Sequence, residues 1–283
     1  PYEQLEFVLT SKKNSDYHTR LENIQFKATR EFFTLIKNYR KSLEDSGMIF
    51  KGIVFRRKTI ITAEQITNQF YSNNTSLRFH NRLEKLAEWL NKQLEIAEKN
   101  ERTKQWVREE IELLSNEEYQ KARSYLLKKG ILTEDLMDDY DREIEALGRL
   151  IVKRKFKPLR QKIKDLSFID MKGIYRQLFS VSKQNASWMN DGIPERWSDI
   201  CRLTRNMIDE NKLNYEDATP YLLLQELIQG FQMNNSIKHV LIDEAQDYSP
   251  FQFEFLKRLF PAAKMTVLGD FNQAIFAHAN KTS

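Results

Sequence analysis

Apolar residues recur every three or four positions through most of the chain, which predicts mainly α-helical structure. The first such stretch, residues 18–46, is expected to form one helix that ends before Gly47. The same pattern returns between residues 83 and 151, with a helix end at Gly130 and a new start after Thr133. Because apolar stripes at this spacing are typical of helix–helix packing, we interpret this part as an elongated helical bundle or arm.

Other segments have different patterns. Residues 48–61 are rich in β-forming residues around a basic turn at 56–58, which predicts a β-hairpin. A capping box at residues 62–65 marks the start of a short helix. Two more helices are predicted at residues 195–211 and 216–229.

Near the carboxyl end, two apolar strands are each followed by polar residues. The first, at 239–242, runs into Asp243-Glu244-Ala245-Gln246-Asp247, and the second, at 265–268, runs into Gly269-Asp270-Phe271-Asn272-Gln273. Between them, a serine, a proline and a glutamine at 249–252 mark the start of a helix. A right-handed crossover of this length places the second strand parallel to the first, and we expect the first strand to be buried.

Both polar clusters are therefore expected at the carboxyl ends of parallel strands, where doubly wound sheets bind ligands. Two carboxylates there suit a nucleotide-hydrolysing site, since one can hold a magnesium ion and the other can accept a proton from the attacking water. The alternative for Asp243 and Glu244 is a solvent-facing turn after a core strand. Gln273 could instead have a helix-capping or surface role, and Asp247 could simply cap the helix that begins near Pro250.

At these residues the chain resembles the superfamily 1 helicases of the UvrD/Rep type. Residues 240–247 resemble their Walker B motif, and residues 267–276 resemble the motif that follows it. The implied cofactors of the intact parent are ATP and Mg²⁺. The resemblance implies these roles: magnesium binding by Asp243, activation of the attacking water by Glu244, nucleotide contact by Gln273 and Asp270, and coupling of the nucleotide state to the motor by Gln246 and Asp247.

The longer string at 247–252, Asp-Tyr-Ser-Pro-Phe-Gln, resembles a narrower branch, the HelD-type proteins that act on bacterial RNA polymerase. Those proteins carry a large helical insertion before Walker B, and the upstream part of this chain resembles it in layout. The resemblance implies a motor whose helical arm grips core RNA polymerase while ATP drives release or recycling. DNA or RNA is a further possible partner.

Two residues depart from the helicase pattern. Phe276 and His278 stand where the helicases have a tyrosine and usually a tryptophan, which stack on single-stranded bases. Because base stacking contributes roughly 1–3 kcal/mol per base, the change to histidine is expected to weaken a grip on DNA. Two alternatives to the HelD-type motor remain. One is a conventional superfamily 1 DNA helicase or translocase, and the other is a fragment that works only as a binding module.

The segments that are missing limit what the chain can do by itself. No glycine is followed by lysine, so the Gly-x-x-x-x-Gly-Lys-Ser/Thr phosphate loop is absent. We expect an internal, monomeric and catalytically inactive fragment of a longer motor. Residues 1–214 are predicted to form a mainly helical insertion with a small hairpin, and residues 215–283 part of a motor domain. The expected fold class is α/β and helix-rich, with a partial RecA-like parallel sheet.

Composition excludes several classes of protein. A single cysteine, Cys201, rules out an internal disulfide and fits the cytoplasm; a buried apolar role is expected for it. No uncharged apolar run is long enough to span a membrane. The four histidines lack metal-ligand spacing, which argues against a zinc site.

One charge pattern has two interpretations. Seven acidic residues lie between Glu134 and Glu145, and eight basic residues follow between Arg149 and Lys164. The pattern fits either a solvated helix pair with complementary charges or a basic surface for nucleic acid or a partner. Pro158 is expected to break the helix in this segment. The candidate contact residues are Lys153, Arg154, Lys155, Lys157 and Arg160.

Overall fold

The computed structural model describes residues 2–11, 13–72, 77–128, 130, 140–180, 192–230 and 235–270. Two compact units divide the chain, unit 1 (residues 1–49 and 170–283) and unit 2 (residues 50–169). The units do not follow the boundary predicted near residue 214, because residues on both sides of it pack together in unit 1. The functional division into an insertion and a motor domain stays a prediction.

The described part is helix-rich with two small sheets. Its elements in chain order are α1 (Tyr2–Thr10), α2 (Ser15–Lys27), α3 (Arg30–Ser42), β1 (Ile53–Phe55), β2 (Lys58–Ile61), α4 (Ala63–Ser72), α5 (Phe79–Glu101), α6 (Gln105–Glu112), α7 (Asn116–Lys128), α8 (Tyr140–Lys164), α9 (Met171–Leu178), α10 (Trp197–Asp209), α11 (Tyr215–Gln229), β3 (His239–Ile242), a 3₁₀ turn (Ala245–Asp247), α12 (Pro250–Leu259) and β4 (Lys264–Val267). None of the described helices is long and apolar enough to cross a membrane.

Residues 18–46 form two helices, and the prediction of a single helix is wrong. α2 ends at Lys27, and Thr29 adopts an extended backbone before α3 begins. The Thr29 hydroxyl accepts a hydrogen bond from the Phe32 N–H at 3.1 Å. A threonine in this position satisfies an N–H group that the first turn of a helix leaves free. The break therefore has a local cause that the apolar periodicity does not show.

A buried ion pair joins α2 to α11 in unit 1. Lys27 Nζ lies 2.6 Å from Asp217 Oδ1, and the two side chains are 0% and 2% exposed. Lys27 also donates to Thr204 Oγ1 at 2.8 Å, and the Tyr175 hydroxyl donates to Asp217 Oδ1 at 2.6 Å. Because buried charges must be paired, this cluster fixes α2, α9, α10 and α11 at one point.

A second buried carboxylate lies next to this cluster. Glu216 accepts hydrogen bonds from Gln4 Nε2 at 3.0 Å and from Asn23 Nδ2 at 3.2 Å. Burial raises the pKa of the Glu216 carboxyl, and the nearby Lys27 opposes that shift. On α10, burial raises the pKa of the Cys201 thiol to about 12, which leaves it an inert apolar group at neutral pH.

Unit 2 is built around α8, against which α5, α6 and α7 pack. The predicted hairpin is confirmed: β1 and β2 pair antiparallel, and Arg56 and Arg57 form the turn with φ of 45° and 65°. The predicted capping box before α4 is also confirmed, with the Thr62 N–H donating to Gln65 Oε1 at 2.9 Å and the Gln65 N–H donating to Thr62 Oγ1 at 3.1 Å.

The predicted break at Pro158 is wrong, because α8 continues through it. A proline inside a helix costs about 3 kcal/mol, but each fully buried large apolar side chain contributes about 1.5–3 kcal/mol. Phe156, Leu159 and Ile163 are all buried around the proline. The carbonyl that loses its partner belongs to Arg154, four residues earlier; Arg154 is exposed, so water can replace the lost hydrogen bond.

The two carboxyl-terminal strands pair in parallel as predicted. His239 is opposite Lys264, and Ile242 is opposite Val267. In the described part of the chain these strands pair only with each other. The expectation of a buried first strand is wrong, since Leu241 is 65% exposed and only Ile242 is buried. Strands of parallel sheets are usually covered on both faces, and the described residues do not cover this one.

Candidate functional site

The ends of β3 and β4 bring the two polar clusters together. The Leu268 N–H donates to the Ile242 carbonyl at 2.8 Å, and the Ala245 N–H donates to the Leu268 carbonyl at 2.8 Å. These bonds continue the pairing beyond the last strand residues. They place the turn that carries Asp243 and Glu244 beside the turn that carries Asp270.

Gln246 links the two turns through its side-chain amide. Its Nε2 donates to Glu244 Oε2 at 2.6 Å, and its Oε1 accepts a hydrogen bond from the Asp270 N–H at 2.9 Å. One side chain thus orients the carboxylate that follows β3 and holds the backbone that follows β4. A residue that couples the two turns needs contacts of this kind with both of them. The coupling role of Gln246 stays a prediction.

The backbone keeps both carboxylates of the first turn accessible. Glu244 adopts a left-handed conformation with φ 50°, which is uncommon for residues other than glycine and is concentrated at functional sites. Asp243 Oδ1 accepts a hydrogen bond from the Glu244 N–H at 2.9 Å. Both side chains are exposed, so a ligand can reach them from solvent.

A comparison of the sequence with protein-family models shows which family the chain belongs to. The model of the UvrD/REP helicase N-terminal domain matches residues 3–280. The chain belongs to the UvrD/REP helicase family. This is a family of superfamily 1 ATP-dependent helicases, which in general use ATP and Mg²⁺. Among curated proteins, no sequence matches the chain.

The residues present fit a magnesium ion of the kind that UvrD/REP helicases use. No group of three or more acidic, histidine or cysteine side chains that could hold a metal lies within the described residues. Mg²⁺ does not need one, since it is usually bound through one or two carboxylates together with phosphates and water. Asp243 offers an exposed carboxylate of this type, and the remaining ligands would come with the nucleotide.

Asp247 does not cap the following helix, so that alternative is wrong. Ser249 caps α12 instead, with the Gln252 N–H donating to its Oγ at 3.2 Å and the Ser249 N–H donating to Gln252 Oε1 at 2.8 Å. Asp247 Oδ1 is buried without a hydrogen-bond partner among the described residues. An acceptor is therefore left available three residues after Glu244.

Sequence reasoning missed the residues that support this site from the other end of the chain. The Phe251 N–H, in the first turn of α12, donates to the Ala28 carbonyl at 2.9 Å. The Phe251 ring is buried against Phe32 and Phe33, with ring centroids at 6.0 and 5.3 Å. The break between α2 and α3 thus anchors the helix that follows the acidic turn. The only sequence signal was Phe251 itself, which does not reveal its partners.

Several predicted residues are not among those that the described part of the chain brings to the site. Gln273, Phe276 and His278 lie outside the described residues. The basic candidates lie on α8 in unit 2. Lys155 pairs with Glu110 at 2.8 Å and Arg160 with Glu98 at 2.7 Å.

These pairs favour complementary charges for part of the segment, an interpretation that Arg149 and Glu145 also support by forming an ion pair. Lys153, Arg154 and Lys157 are exposed and form no ion pair with the described part of the chain. They remain candidates for contact with nucleic acid or a partner.

Gly269 is predicted to be required for the contact between the two turns. A Cβ atom added there would lie 2.5 Å from Gln246 Oε1 and 3.0 Å from the Ala245 nitrogen. We expect Gly269→Ala to lower the free energy of unfolding by about 1–3 kcal/mol, measured by urea denaturation. The same substitution in a Gln246→Ala background should cost less, because the nearest clashing atom is gone. Equal costs in the two backgrounds would contradict the proposed clash.

Proposed function

We propose that the chain is part of an ATP-driven motor of the HelD type, in which the turns after β3 and β4 form part of the nucleotide site and the helical residues bind core RNA polymerase. The observation that carries the ATPase part is the Gln246 bridge between the Glu244 carboxylate and the Asp270 backbone. The polymerase part is supported by the string at 247–252 and by the large helical region that precedes β3.

In this proposal the residues divide the chemistry of hydrolysis. Asp243 would hold the magnesium ion, which would neutralise charge on the phosphates. Glu244 accepts the proton of the attacking water, and its second carboxylate oxygen, Oε1, is left for this task while Oε2 accepts from Gln246. Asp270 and Gln273 would contact the nucleotide, so that its hydrolysis would change the relation between the two turns.

A RecA-like sheet is part of the same proposal. β3 and β4 are parallel and joined by α12, as in a doubly wound sheet. Leu241 and Leu268 are 65% and 51% exposed, and the crossover helices that accompany further parallel strands would cover apolar residues on the faces of such a sheet. This exposed apolar face supports a sheet that continues with residues beyond those described.

The chain by itself is proposed to be inactive, because it has no phosphate loop. In titration calorimetry with ATP and Mg²⁺ we expect no measurable heat from the 283-residue chain, since backbone N–H groups and a lysine of that loop normally hold the phosphates. The control is the full-length protein under the same conditions. Micromolar binding by the chain alone would show that another segment replaces the phosphate loop.

A conventional DNA helicase or translocase is the second candidate. The exposed Lys153, Arg154 and Lys157, which form no ion pair among the described residues, favour it. Lysine and arginine side chains on one helix can neutralise phosphates of the nucleic-acid backbone and so give affinity that falls with salt. The same three side chains can bind either nucleic-acid phosphates or an acidic protein surface.

The test is ATP turnover by the full-length protein, titrated in parallel with single-stranded DNA and with core RNA polymerase. Stimulation or tight binding with polymerase, and little response to DNA, would support the proposed motor. Stimulation by DNA alone would overturn it in favour of the helicase. Replacing Lys153, Arg154 and Lys157 by glutamate should weaken whichever response depends on α8. The matched control makes the same charge change on α5, at exposed Lys85, Lys92 and Lys99.

A further inference from the structure

Helix α1 packs against the rest of unit 1 through a buried amide and an aromatic ring. Gln4 is buried, and its Nε2 donates to Glu216 Oε2 on α11 at 3.0 Å. Phe7 stacks on Tyr17 of α2, with ring centroids 5.2 Å apart, and the Arg20 guanidinium lies 4.4 Å from the centroid of the Phe7 ring. Phe7 is only half-buried. The hydrogen bond between Gln4 and Glu216 is therefore the most enclosed of these contacts.

The Glu216 carboxyl accepts hydrogen bonds from two amides and can donate none while it is ionised. Its Oε2 accepts from Gln4 Nε2, and its Oε1 accepts from Asn23 Nδ2 on α2 at 3.2 Å. The oxygens of the same two amides, Gln4 Oε1 and Asn23 Oδ1, are buried without a hydrogen-bond partner among the described residues. Because a carboxylate cannot donate, the ionised cluster leaves two buried acceptors unsatisfied. Each of them lowers the stability of the packed state.

A proton on Glu216 would supply a missing donor. A protonated carboxyl group has one O–H donor and keeps acceptor capacity on its oxygens. Both amide N–H groups can therefore keep their present acceptors while the new O–H donates to one of the amide oxygens. An amide that one hydrogen bond already joins to the carboxyl is well placed to accept this second one. One proton thus satisfies a buried acceptor without breaking a hydrogen bond.

The charges around Glu216 favour its protonated form. In the described part of unit 1 the buried charged residues are Lys27, Asp217 and Glu216, so one ammonium group serves two carboxyl groups. Lys27 Nζ lies 2.6 Å from Asp217 Oδ1, and the Tyr175 hydroxyl also donates to Asp217. Burial raises the pKa of the Glu216 carboxyl, Lys27 opposes that rise, and the Asp217 charge adds to it. The other polar side chains at the small cavity beside Glu216 carry hydroxyls or an amide: Tyr215, Thr219, Ser249 and Gln252.

We propose that Glu216, Gln4 and Asn23 form a proton-dependent latch, which holds α1 against α2 and α11 more tightly when Glu216 is protonated than when it is ionised. α1 is the element that moves, because its described contacts are the Gln4 amide and the half-buried Phe7 ring. α2 and α11, in contrast, share the buried Lys27–Asp217 pair. The latch concerns unit 1 alone and does not rest on the proposed ATPase function.

Docking of α1 is therefore expected to weaken as the pH rises. Packing of α1 buries Glu216, so the carboxyl binds a proton more tightly when α1 is docked than when solvent reaches it. Docking is favoured at pH values below the raised pKa of Glu216 and is lost progressively as the pH rises through it. The ordinary pKa of this carboxyl is 4.5, so the change is expected above that pH.

The test measures hydrogen exchange of the α1 amides in the whole chain, from about pH 5 to about pH 8 and corrected for the intrinsic exchange rate. Protection of α1 is expected to fall about tenfold across this range, the order expected for one buried acceptor that loses its donor. At each pH, α1 should exchange faster than α10. The ¹³C shift of the Glu216 carboxyl should titrate over the same pH range as the protection of α1.

Glu216→Gln is the decisive variant, because glutamine can accept from one amide and donate to the other at any pH. It should keep α1 protected to within about twofold across the whole range. Two controls remove other titratable groups near α1. Glu6→Gln makes the same change at an exposed residue of α1, and His18→Gln removes the exposed imidazole beside Tyr17. Both controls should keep the pH dependence of the wild-type chain.

Four outcomes would overturn the latch. Protection of α1 that does not change with pH in the wild-type chain would do so, as would an unchanged pH dependence in Glu216→Gln. Loss of the pH dependence in either control would assign it to another group. Equal exchange of α1 and α10 would show that α1 opens only when the whole unit unfolds. A Glu216 carboxyl that titrates at or below its ordinary value of 4.5 would contradict the latch without any variant.

Discussion

Replacing Glu244 by glutamine in the full-length protein is expected to lower ATP turnover by about 10²–10⁴-fold, the usual contribution of a positioned general base. Glutamine cannot accept the proton of the attacking water. Its amide oxygen can still accept from Gln246 Nε2, which in the native chain donates to Glu244 at 2.6 Å. The turn and the Asp243 carboxylate should therefore persist, and the dissociation constant for ATP should stay within about twofold.

Turnover and nucleotide affinity are measured on the same preparation, by phosphate release and by titration calorimetry. Glu210→Gln is the matched control, because Glu210 is an exposed acidic residue that pairs only with Lys212 at 2.8 Å within the described chain. It should leave both quantities unchanged. Wild-type turnover in the Glu244→Gln variant would show that another group activates the water. Loss of ATP binding would show that Glu244 holds the nucleotide or the turn.

Lys27→Met is expected to lower the free energy of unfolding by about 3–5 kcal/mol, the cost of removing one partner from a buried ion pair. Asp217 would keep its charge inside the core, with Tyr175 as its remaining donor at 2.6 Å. The loss should appear in urea denaturation followed by circular dichroism. Lys212→Met, at an exposed pair with Glu210, should cost no more than about 1 kcal/mol.

A double variant separates the lost charge pair from lost packing. Lys27→Met combined with Asp217→Asn removes both charges and keeps an acceptor for the Tyr175 hydroxyl. We expect it to be more stable than Lys27→Met alone, because no unpaired charge remains buried. If the double variant were as unstable as the single one, packing of the lysine stem rather than its charge would be the main contribution.

The Lys27–Asp217 ion pair is expected to affect the acidic turn after β3 as well as the stability of the fold. Lys27 is the last residue of α2, and the next carbonyl, at Ala28, accepts the Phe251 N–H. α12, which begins three residues after Asp247, is thus held by the segment that the Lys27–Asp217 pair fixes in the core. Loss of the pair is expected to loosen this anchor as well.

Local signals in the sequence predicted local structure well. The turn at Arg56 and Arg57, the capping box at Thr62 and the cap at Ser249 depend on residues within three or four positions of each other, and the structure confirms them. The parallel pairing of β3 and β4 was also predicted, because a short crossover constrains strand direction. The family was recognised from residues 240–276, and the family match over residues 3–280 confirms it.

Predictions failed where distant packing decides the outcome. Pro158 remains helical because apolar side chains on both sides of it are buried in unit 2. The single helix predicted over residues 18–46 failed for a local reason instead: Thr29 caps α3, although the apolar spacing continues across the break. Burial of β3 was expected from its composition, but burial depends on which elements lie over a strand, and the described residues leave Leu241 exposed.

The sequence by itself determined the helix-rich class, the two polar turns and the family, because each depends on short-range patterns of residue type. Only the tertiary structure showed that Gln246 bridges the turns and that Lys27 pairs with Asp217 at a separation of 190 residues. Contacts between residues distant in sequence depend on how all elements pack at once, and no local pattern encodes that packing.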